Sequence, residues 1–151
     1  MPNQIDISKV APGYREAIIG LLQSEKLPVE DLSDNLQHFL VATDNGTVIG
    51  VVGLETYDQN GLLRSLVVRP EYRKMKIAVS LVNELENMAR NAGLNNLYLL
   101  TETAQGFFAK NGYETIHREQ APESLKQSTE FSHVCPTTAI LMKKTIGAQQ
   151  I

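Results

Sequence analysis

Apolar and polar positions alternate along this chain of 151 residues with two different periods. Apolar side chains recur at helical spacing over residues 12–25, 29–39 and 77–92, which predicts three main helices, and a shorter helix is predicted at 103–111. Short apolar runs bounded by turn residues predict strands. These runs cover residues 3–10, 38–43, 47–57, 62–68, 96–101, 113–118 and 137–143.

The helix at 77–92 divides clearly into an apolar stripe and a polar outer face. Four polar side chains are predicted to face solvent, namely Glu84, Glu86, Asn87 and Arg90. Gly93 follows where a glycine commonly ends a helix. This helix therefore packs on the sheet through one face only.

Turn residues between the apolar runs indicate how consecutive strands are connected. Residues 44–46 (DNG) separate two apolar runs, which is the strongest short signal for a hairpin, and residues 58–61 (DQNG) predict a second turn. The continuous apolar run at 96–101 follows a helix, as a buried parallel strand would, so residues 62–101 predict one βαβ crossover. The fold class is α/β: a single mixed β-sheet of about six or seven strands, flanked by helices on both faces. Length predicts one domain over residues 1–151.

Composition narrows the class of protein. The chain is 42% hydrophobic and 21% charged, with a net charge of −3, which does not favour a nucleic-acid-binding surface. A single cysteine, Cys135, excludes an intrachain disulfide and suits a reducing cytoplasm. The first residues lack the pattern of a signal peptide, and no apolar stretch reaches the ~20 residues of a membrane span. We therefore expect a cytoplasmic protein without nucleic-acid or membrane partners.

The richest segment for chemistry is residues 69–78 (RPEYRKMKIA), where an apolar strand runs into a helix through a basic turn. A helix N-terminus offers unpaired N–H groups and a favourable dipole to an anion, so this arrangement predicts a phosphate site. The alternative is a solvated basic turn that only caps the helix.

This turn resembles the pyrophosphate loop of the GNAT superfamily of N-acetyltransferases, whose pattern is Arg/Gln-x-x-Gly-x-Gly/Ala. Here the three positions hold Arg73, Lys76 and Ala78. The predicted order of elements is also similar to the GNAT fold. Further runs look like the small arsenic-resistance N-acetyltransferases, at residues 27–32, 50–55, 62–68, 99–104, 107–109 and 135–136.

The resemblance implies an enzyme that binds acetyl-CoA where the fourth and fifth strands diverge and acetylates a primary amine by direct transfer. It implies that the backbone of Leu66, Val67 and Val68 pairs with the pantetheine arm. Six residues would wrap the pyrophosphate, namely Arg73, Lys74, Met75, Lys76, Ile77 and Ala78. It further implies that Phe108 lies at the cofactor, in the place of a tyrosine that protonates the departing sulfur in many GNAT enzymes.

Two residues depart from the family pattern. Lys76 replaces a glycine, and a positive φ there would cost about 1–3 kcal/mol, whereas a negative φ would let the lysine simply add charge. Phe108 cannot donate a proton. Because a thiol with a pKa of about 8.5 is a fair leaving group, we expect a slower enzyme or another donor.

Four polar residues are candidates for the acceptor side. Arg64 lies in a central strand and must be paired, either with a carboxylate or arsonate-like group of the substrate or with Glu55 on the neighbouring strand. Glu55 is the candidate general base, with pairing to Arg64 or exposure at a strand end as its alternative. Thr101 and Thr103 end the fifth strand, where ligands gather, as catalytic and substrate-binding candidates. Thr103 could instead cap the next helix.

A metal site is not expected. His133 and Cys135 are two residues apart, but a zinc site needs further ligands, and His117 is predicted in another strand, facing solvent. Arsenite chelation is not expected either, because such soft-metal sites use several thiolates.

The sequence therefore predicts a cytoplasmic N-acetyltransferase for a small amino-acid-like amine, which the resemblance specifies as an organoarsenical or phosphinothricin-type compound. The competing hypothesis is a catalytically degenerate acyl-CoA-binding or partner-binding domain. A protein N-terminal or lysine acetyltransferase would need an open acidic groove, and the long connection at 120–136 is placed to close one. GNAT domains often dimerise through their last strands, so a homodimer remains open.

Overall fold

The computed structural model describes residues 5–11, 13–27, 29, 38–126 and 139–147. Strands and helices follow one another in these ranges as β1 (Ile5–Lys9), α1 (Arg15–Ser24), β2 (Phe39–Asp44), β3 (Thr47–Tyr57), β4 (Asn60–Val68), a first 3₁₀ helix (Pro70–Met75), α2 (Ile77–Asn91), β5 (Asn96–Thr101), α3 (Gln105–Lys110), β6 (Glu114–Ile116), a second 3₁₀ helix (Arg118–Gln120), α4 (Glu123–Lys126) and β7 (Ile140–Thr145). None of these described helices is both long and apolar enough to cross a membrane.

The seven strands form one mixed sheet in the order β1-β2-β3-β4-β5-β7-β6. β1 with β2, β2 with β3, β5 with β7 and β6 with β7 are antiparallel, whereas β4 and β5 are parallel. Because α2 connects the parallel pair, the predicted βαβ crossover is present. The predicted α/β fold with a single mixed sheet is confirmed.

Local sequence signals located most elements to within a few residues. β3 and β5 have the predicted bounds, and Asn45 and Gly46 adopt φ values of 51° and 86° in the predicted hairpin turn. The helix predicted at 29–39 falls mostly on residues 30–37, outside the described part, and Phe39 begins β2 instead. The connection predicted at 120–136 begins with the end of a 3₁₀ helix and with α4, which the polar composition did not signal.

The described residues pack into two compact units. The first comprises residues 1–54 and 65–85, and its core packs α1 against strand residues such as Val41 and Val51. Gly53 is required in this core, because a Cβ there would lie 2.4 Å from the ring of Phe39. The ring of Phe39, the residue paired with Gly53 on β2, thus explains a glycine in the middle of β3.

The second unit comprises residues 55–64 and 86–151. Its buried cluster contains Leu62, Tyr98 and Leu141 from three strands, together with Ala121 and Leu125. Since Ala121 directly follows the second 3₁₀ helix and Leu125 belongs to α4, this segment packs against Leu62, Tyr98 and Leu141 of the three strands. We call these five residues the strand–α4 cluster.

Candidate active site

The basic turn of the first unit is held by its own arginines. The backbone N–H of Arg69 donates to the carbonyl of Ile49 at 2.8 Å, and its Nε donates to the carbonyl of Val48 at 3.1 Å. Arg73 donates from Nε to the carbonyl of Val68 at 3.0 Å and pairs with Glu25. Much of the charge that the sequence assigned to phosphate binding therefore shapes the turn.

Tyr72 ties the same turn to the β2–β3 hairpin. Its hydroxyl donates to Asp44 at 2.6 Å, and this hydrogen bond is the main reason why the pKa of Tyr72 is raised. The sequence analysis did not single out this pair, since Asp44 was identified only as a turn residue.

Lys76 joins the first 3₁₀ helix to α2 with φ 60° and ψ 25°, in the left-handed region. The lysine thus has the backbone conformation that the glycine of the family pattern would adopt, so the costlier of the two expected cases applies. Within the described ranges, the exposed ammonium groups of Lys74 and Lys76 form no ion pair. Two cations beside the first N–H groups of α2 make a surface suited to an anion.

Met75 and Ile77 flank Lys76 and line an open groove of about 580 Å³ in the first unit. Residues Ile5–Ile7 of β1 and the α2 side chains Ser80, Asn83 and Glu84 complete its lining. Met75 is 45% exposed there. Because the charged groups of this groove are the carboxylates of Asp6 and Glu84, it is less suited to an anion than the side of the turn that carries Lys74 and Lys76.

The end of β4 contains a conformation that the sequence did not signal. Ser65 has φ 60°, which interrupts the extended backbone two residues before Val67. Leu66 is half-buried, while Val67 and Val68 are buried, and the carbonyl of Val68 already accepts from Arg73. Serine is not a residue type that indicates a left-handed backbone conformation, so only the structure reveals this irregularity in β4.

β4 and β5 are paired over a short stretch of the second unit. Their parallel ladder joins Asn60–Leu62 to Asn96–Tyr98, and among the described residues it ends at the pair Leu62 and Tyr98. β5 continues to Thr101 by pairing with β7. Arg64 and Leu100 therefore lie beyond the last paired position, where two parallel strands separate and a ligand can enter.

Glu55 and Arg64 form an ion pair at this separation. Nη1 of Arg64 donates to Oε2 of Glu55 at 2.9 Å, and the hydroxyl of Tyr57 donates to Oε1 at 2.8 Å. The side chain of Arg64 has 0% exposed surface, whereas that of Glu55 has 26%. The pairing offered as an alternative in the sequence analysis is thus formed, and the exposed member of the pair is the carboxylate.

The two threonines have different positions. Oγ1 of Thr101 accepts from the backbone N–H of Ala104 at 3.0 Å and so shapes the turn before α3. Thr103 is exposed, and α3 begins after Ala104 without a side-chain cap. The alternative that Thr103 caps this helix is therefore wrong, because the N-cap residue is Ala104 and no side chain caps it.

Phe108 points into the second unit. It is 4% exposed and makes edge-on contacts with Phe107 and Tyr113, at ring-centroid distances of 5.1 and 5.4 Å. Tyr113 in turn donates to Glu86 at 3.0 Å. Burial and the nearby Glu86 raise the pKa of Tyr113, which makes it a poor proton donor to a leaving group.

No group of three potential metal-ligating side chains comes together in the part of the chain that the structure describes. His133 and Cys135 lie outside that part. His117 is exposed as predicted, but it follows β6 rather than lying in it, and it forms a reciprocal capping arrangement with Gln120.

Comparison with known families gives a match to the acetyltransferase (GNAT) domain over residues 35–115, which is more than half of the chain. An uncharacterised N-acetyltransferase of Chlorobaculum tepidum is 32% identical over 142 residues, covering 93% of this chain and 88% of that protein. An amino-acid acetyltransferase of Shewanella oneidensis is 27% identical over 123 residues, covering 80% of this chain. The chain spans only 26% of that longer relative.

Solved structures with the same fold include the N-acetylglutamate synthase of Neisseria gonorrhoeae complexed with coenzyme A and N-acetyl-glutamate. It has a TM-score of 0.82 at 17% identity, over 97% of this chain and 36% of that one. A GNAT-family acetyltransferase of Staphylococcus aureus Mu50 has a TM-score of 0.79 at 22% identity, over 95% of this chain and 99% of that one. The chain therefore belongs to the GNAT acetyltransferase family, as an acetyl-CoA-dependent N-acetyltransferase.

Proposed function

We propose that this enzyme acetylates the primary amine of a small amino-acid-like compound. The observation that carries the proposal is the Glu55–Arg64 pair where β4 and β5 separate, because its exposed member is a carboxylate that can receive an ammonium group. The similarity to amino-acid acetyltransferases supports an amino acid as the acceptor class.

The donor side of the proposal uses the first unit. Acetyl-CoA supplies the acetyl thioester, and the backbone of Leu66, Val67 and Val68 binds its pantetheine arm. The turn from Arg73 to Ala78 binds its pyrophosphate. The exposed charges of Lys74 and Lys76 and the left-handed backbone at Lys76 support this role. Phe108 is assigned no contact with the cofactor, because its ring is enclosed in the second unit.

In the proposed reaction, Glu55 accepts a proton from the acceptor ammonium, directly or through water, so that the amine becomes nucleophilic. Backbone N–H groups near Val67 and Val68 polarise the thioester carbonyl. The new C–N bond forms as the C–S bond breaks, and the nitrogen loses its second proton to water. The sulfur leaves as a thiolate, which takes a proton from water. Thr101 orients the turn that borders the acceptor.

The finer substrate proposal is an organoarsenical amino acid or a phosphinothricin-like analogue. The runs at residues 50–55 and 99–104 support it through their similarity to the arsenic-resistance enzymes. Because Arg64 has no exposed side-chain surface, we assign it to holding Glu55 in place. The exposed hydroxyl of Thr103 is the candidate for contact with the acidic group of the acceptor.

The first test is calorimetric titration of the protein with acetyl-CoA and with CoA, followed by measurement of CoA release with a panel of amines. We expect micromolar binding, and faster turnover of phosphinothricin and glutamate-like amino acids than of peptides. Turnover of peptides alone would contradict the proposal. Absence of binding at millimolar acetyl-CoA would exclude the donor assignment.

A matched pair of variants tests the role of Glu55. Glu55→Gln removes the proton acceptor and should lower kcat/KM about 100-fold, within the usual range for a general base. Glu123→Gln is the control, because that carboxylate on α4 is 85% exposed and should not affect the rate. Equal rates for both variants would exclude Glu55 as the base.

A further inference from the structure

Tyr57 completes a hydrogen-bonded unit on the acceptor side of the molecule. Its hydroxyl donates to Oε1 of Glu55 at 2.8 Å, while Arg64 donates to Oε2 at 2.9 Å. Tyr57 lies two residues after Glu55 on β3, so their side chains project from the same face of the strand. Each oxygen of the carboxylate is therefore held by a different donor.

The exposed surface of each side chain shows which part of this ion pair solvent or a ligand can reach. The guanidinium of Arg64 is enclosed, and the ring of Tyr57 packs against the strand–α4 cluster. The side chain of Glu55 keeps 26% of its surface exposed. A carboxylate offers about four lone-pair positions, so two contacts from the protein leave acceptor sites on its exposed edge.

The tyrosine that donates to this carboxylate packs against an apolar cluster. Leu100 and Ile116 are partly buried against the same cluster as Tyr57. Ala121, which follows the second 3₁₀ helix, and Leu125 of α4 are buried members of that cluster. A fixed carboxylate beside an apolar wall suits an ammonium group on a short aliphatic body.

We infer that Tyr57 is a positioning residue of the acceptor site, and this inference rests on the function proposed above. Its hydroxyl holds Oε1 so that the exposed edge of Glu55 faces the acceptor amine. Without this bond the glutamate side chain can rotate about its own torsions, held by Arg64 alone. Small displacements of a group that handles the reacting atom reduce rates strongly, even when packing is otherwise kept.

Tyr57→Phe tests the inference, because it removes the hydroxyl and keeps the ring. We expect the KM for the acceptor to rise about tenfold, the size of one hydrogen bond, with the KM for acetyl-CoA unchanged. Tyr113→Phe is the matched control, since it removes another tyrosine–glutamate bond, to Glu86. It should lower the unfolding temperature and leave the acceptor KM unchanged.

A double variant separates positioning from general stabilisation. If Tyr57 acts through Glu55, adding Tyr57→Phe to Glu55→Gln should change the acceptor kinetics no further. Additive effects, or an equal rise in both KM values, would overturn the inference. If Tyr57→Phe does not fold, Glu55→Asp withdraws the carboxylate from the tyrosine and should produce the same split between the two KM values.

Failure of the two proposals is distinguishable. A wild-type enzyme that acetylates no amine in the panel overturns the proposed function and this inference with it. A wild-type enzyme that acetylates an amino acid, together with a Tyr57→Phe variant of identical kinetics, overturns the inference alone.

Discussion

Lys76 shows how one residue can depart from a motif while the backbone keeps the motif's shape. Its φ of 60° continues the path from the first 3₁₀ helix into α2, whose first residue, Ile77, is buried. A left-handed residue with a Cβ costs about 1–2 kcal/mol. The burial of Ile77 after it and the hydrogen bonds of Arg69 and Arg73 before it hold this conformation, so the lysine carries the strain and adds a charge at the helix N-terminus.

Lys76→Gly and Lys76→Ala separate the strain from the charge. Lys76→Gly relieves the strain but also stabilises the unfolded chain by about 0.4–1 kcal/mol through its added conformational entropy. The free energy of unfolding should therefore rise by no more than about 1.6 kcal/mol. Both variants should bind acetyl-CoA several-fold more weakly at low salt, with a smaller effect at high salt. Calorimetry at two salt concentrations measures this difference.

Other outcomes of that experiment have clear meanings. Tighter binding by both variants would mean that the lysine side chain crowds the phosphates. Unchanged affinity in both would mean that the turn does not touch the pyrophosphate.

At the scale of elements, a buried charged network joins α2, the end of α3 and β7 in the second unit. Nζ of Lys144 lies 3.0 and 3.1 Å from the two oxygens of Glu86 and 3.0 Å from the carbonyl of Asn111. Tyr113 donates to the same carboxylate. Glu86 is 3% exposed, so these partners replace the water that its carboxylate would otherwise contact.

Replacing Lys144 with methionine should destabilise the protein by about 3 kcal/mol, because the carboxylate of Glu86 would remain buried without its main cation. Lys143→Met is the control. Lys143 lies 5.8 Å from the ring centroid of Tyr98, a contact worth about 0.5–1 kcal/mol. Urea denaturation of the two variants gives the comparison, and equal losses would contradict the importance assigned to the network.

The same network marks the limit of prediction from sequence. Helical periodicity placed Glu86 on the solvent face of α2, and this prediction is wrong, because Lys144 and Tyr113 reach it from 58 and 27 residues away. The first and last residues of β3 and β5 were predicted correctly, because the turn residues and apolar runs that define them are adjacent in the sequence. Ser65 was missed because serine is not a residue type that signals a left-handed conformation.

The candidate site divides in the same way. The cations Lys74 and Lys76 followed from the basic turn before a helix. The Glu55–Arg64 pair followed from an arginine in a central strand, since a buried arginine must be paired with a carboxylate. Tyr57 was not identified, although its position two residues from Glu55 gave a weak signal. Which member of the ion pair is exposed depends on packing, and no pattern of residue types encodes that.

At the scale of the whole molecule, the ionisation of tyrosines makes the free energy of unfolding depend on pH in the alkaline range. Burial is the largest cause that raises the pKa of Tyr98 and of Tyr113, and the hydrogen bond to Asp44 is the largest for Tyr72. Each of these groups therefore holds its proton more tightly in the folded protein than in the unfolded chain. Stability that is present below pH ~10 is lost as the pH rises, because the unfolded chain releases its protons first.

Tyr113→Phe should reduce this alkaline loss. Below pH ~10 the variant is less stable than the wild type, since it lacks the bond to Glu86. Above that pH its stability should fall less steeply, by up to about 1.4 kcal/mol per pH unit, the contribution of one tyrosine. Urea midpoints between about pH 8 and pH 11 measure the slope, and identical slopes in both proteins would contradict the assignment.

The tyrosine–carboxylate bonds have a practical consequence for optical spectroscopy. The chain has five tyrosines and no tryptophan, so phenol rings dominate its near-ultraviolet absorbance and its emission. A phenol that donates to a carboxylate absorbs at slightly longer wavelength than one in water and emits less. Tyr57, Tyr72 and Tyr113 donate in this way from three separate regions. The difference in tyrosine signal between the wild type and a phenylalanine variant at one of these positions would isolate the contribution of that region. It would therefore report the opening of that region without an added label.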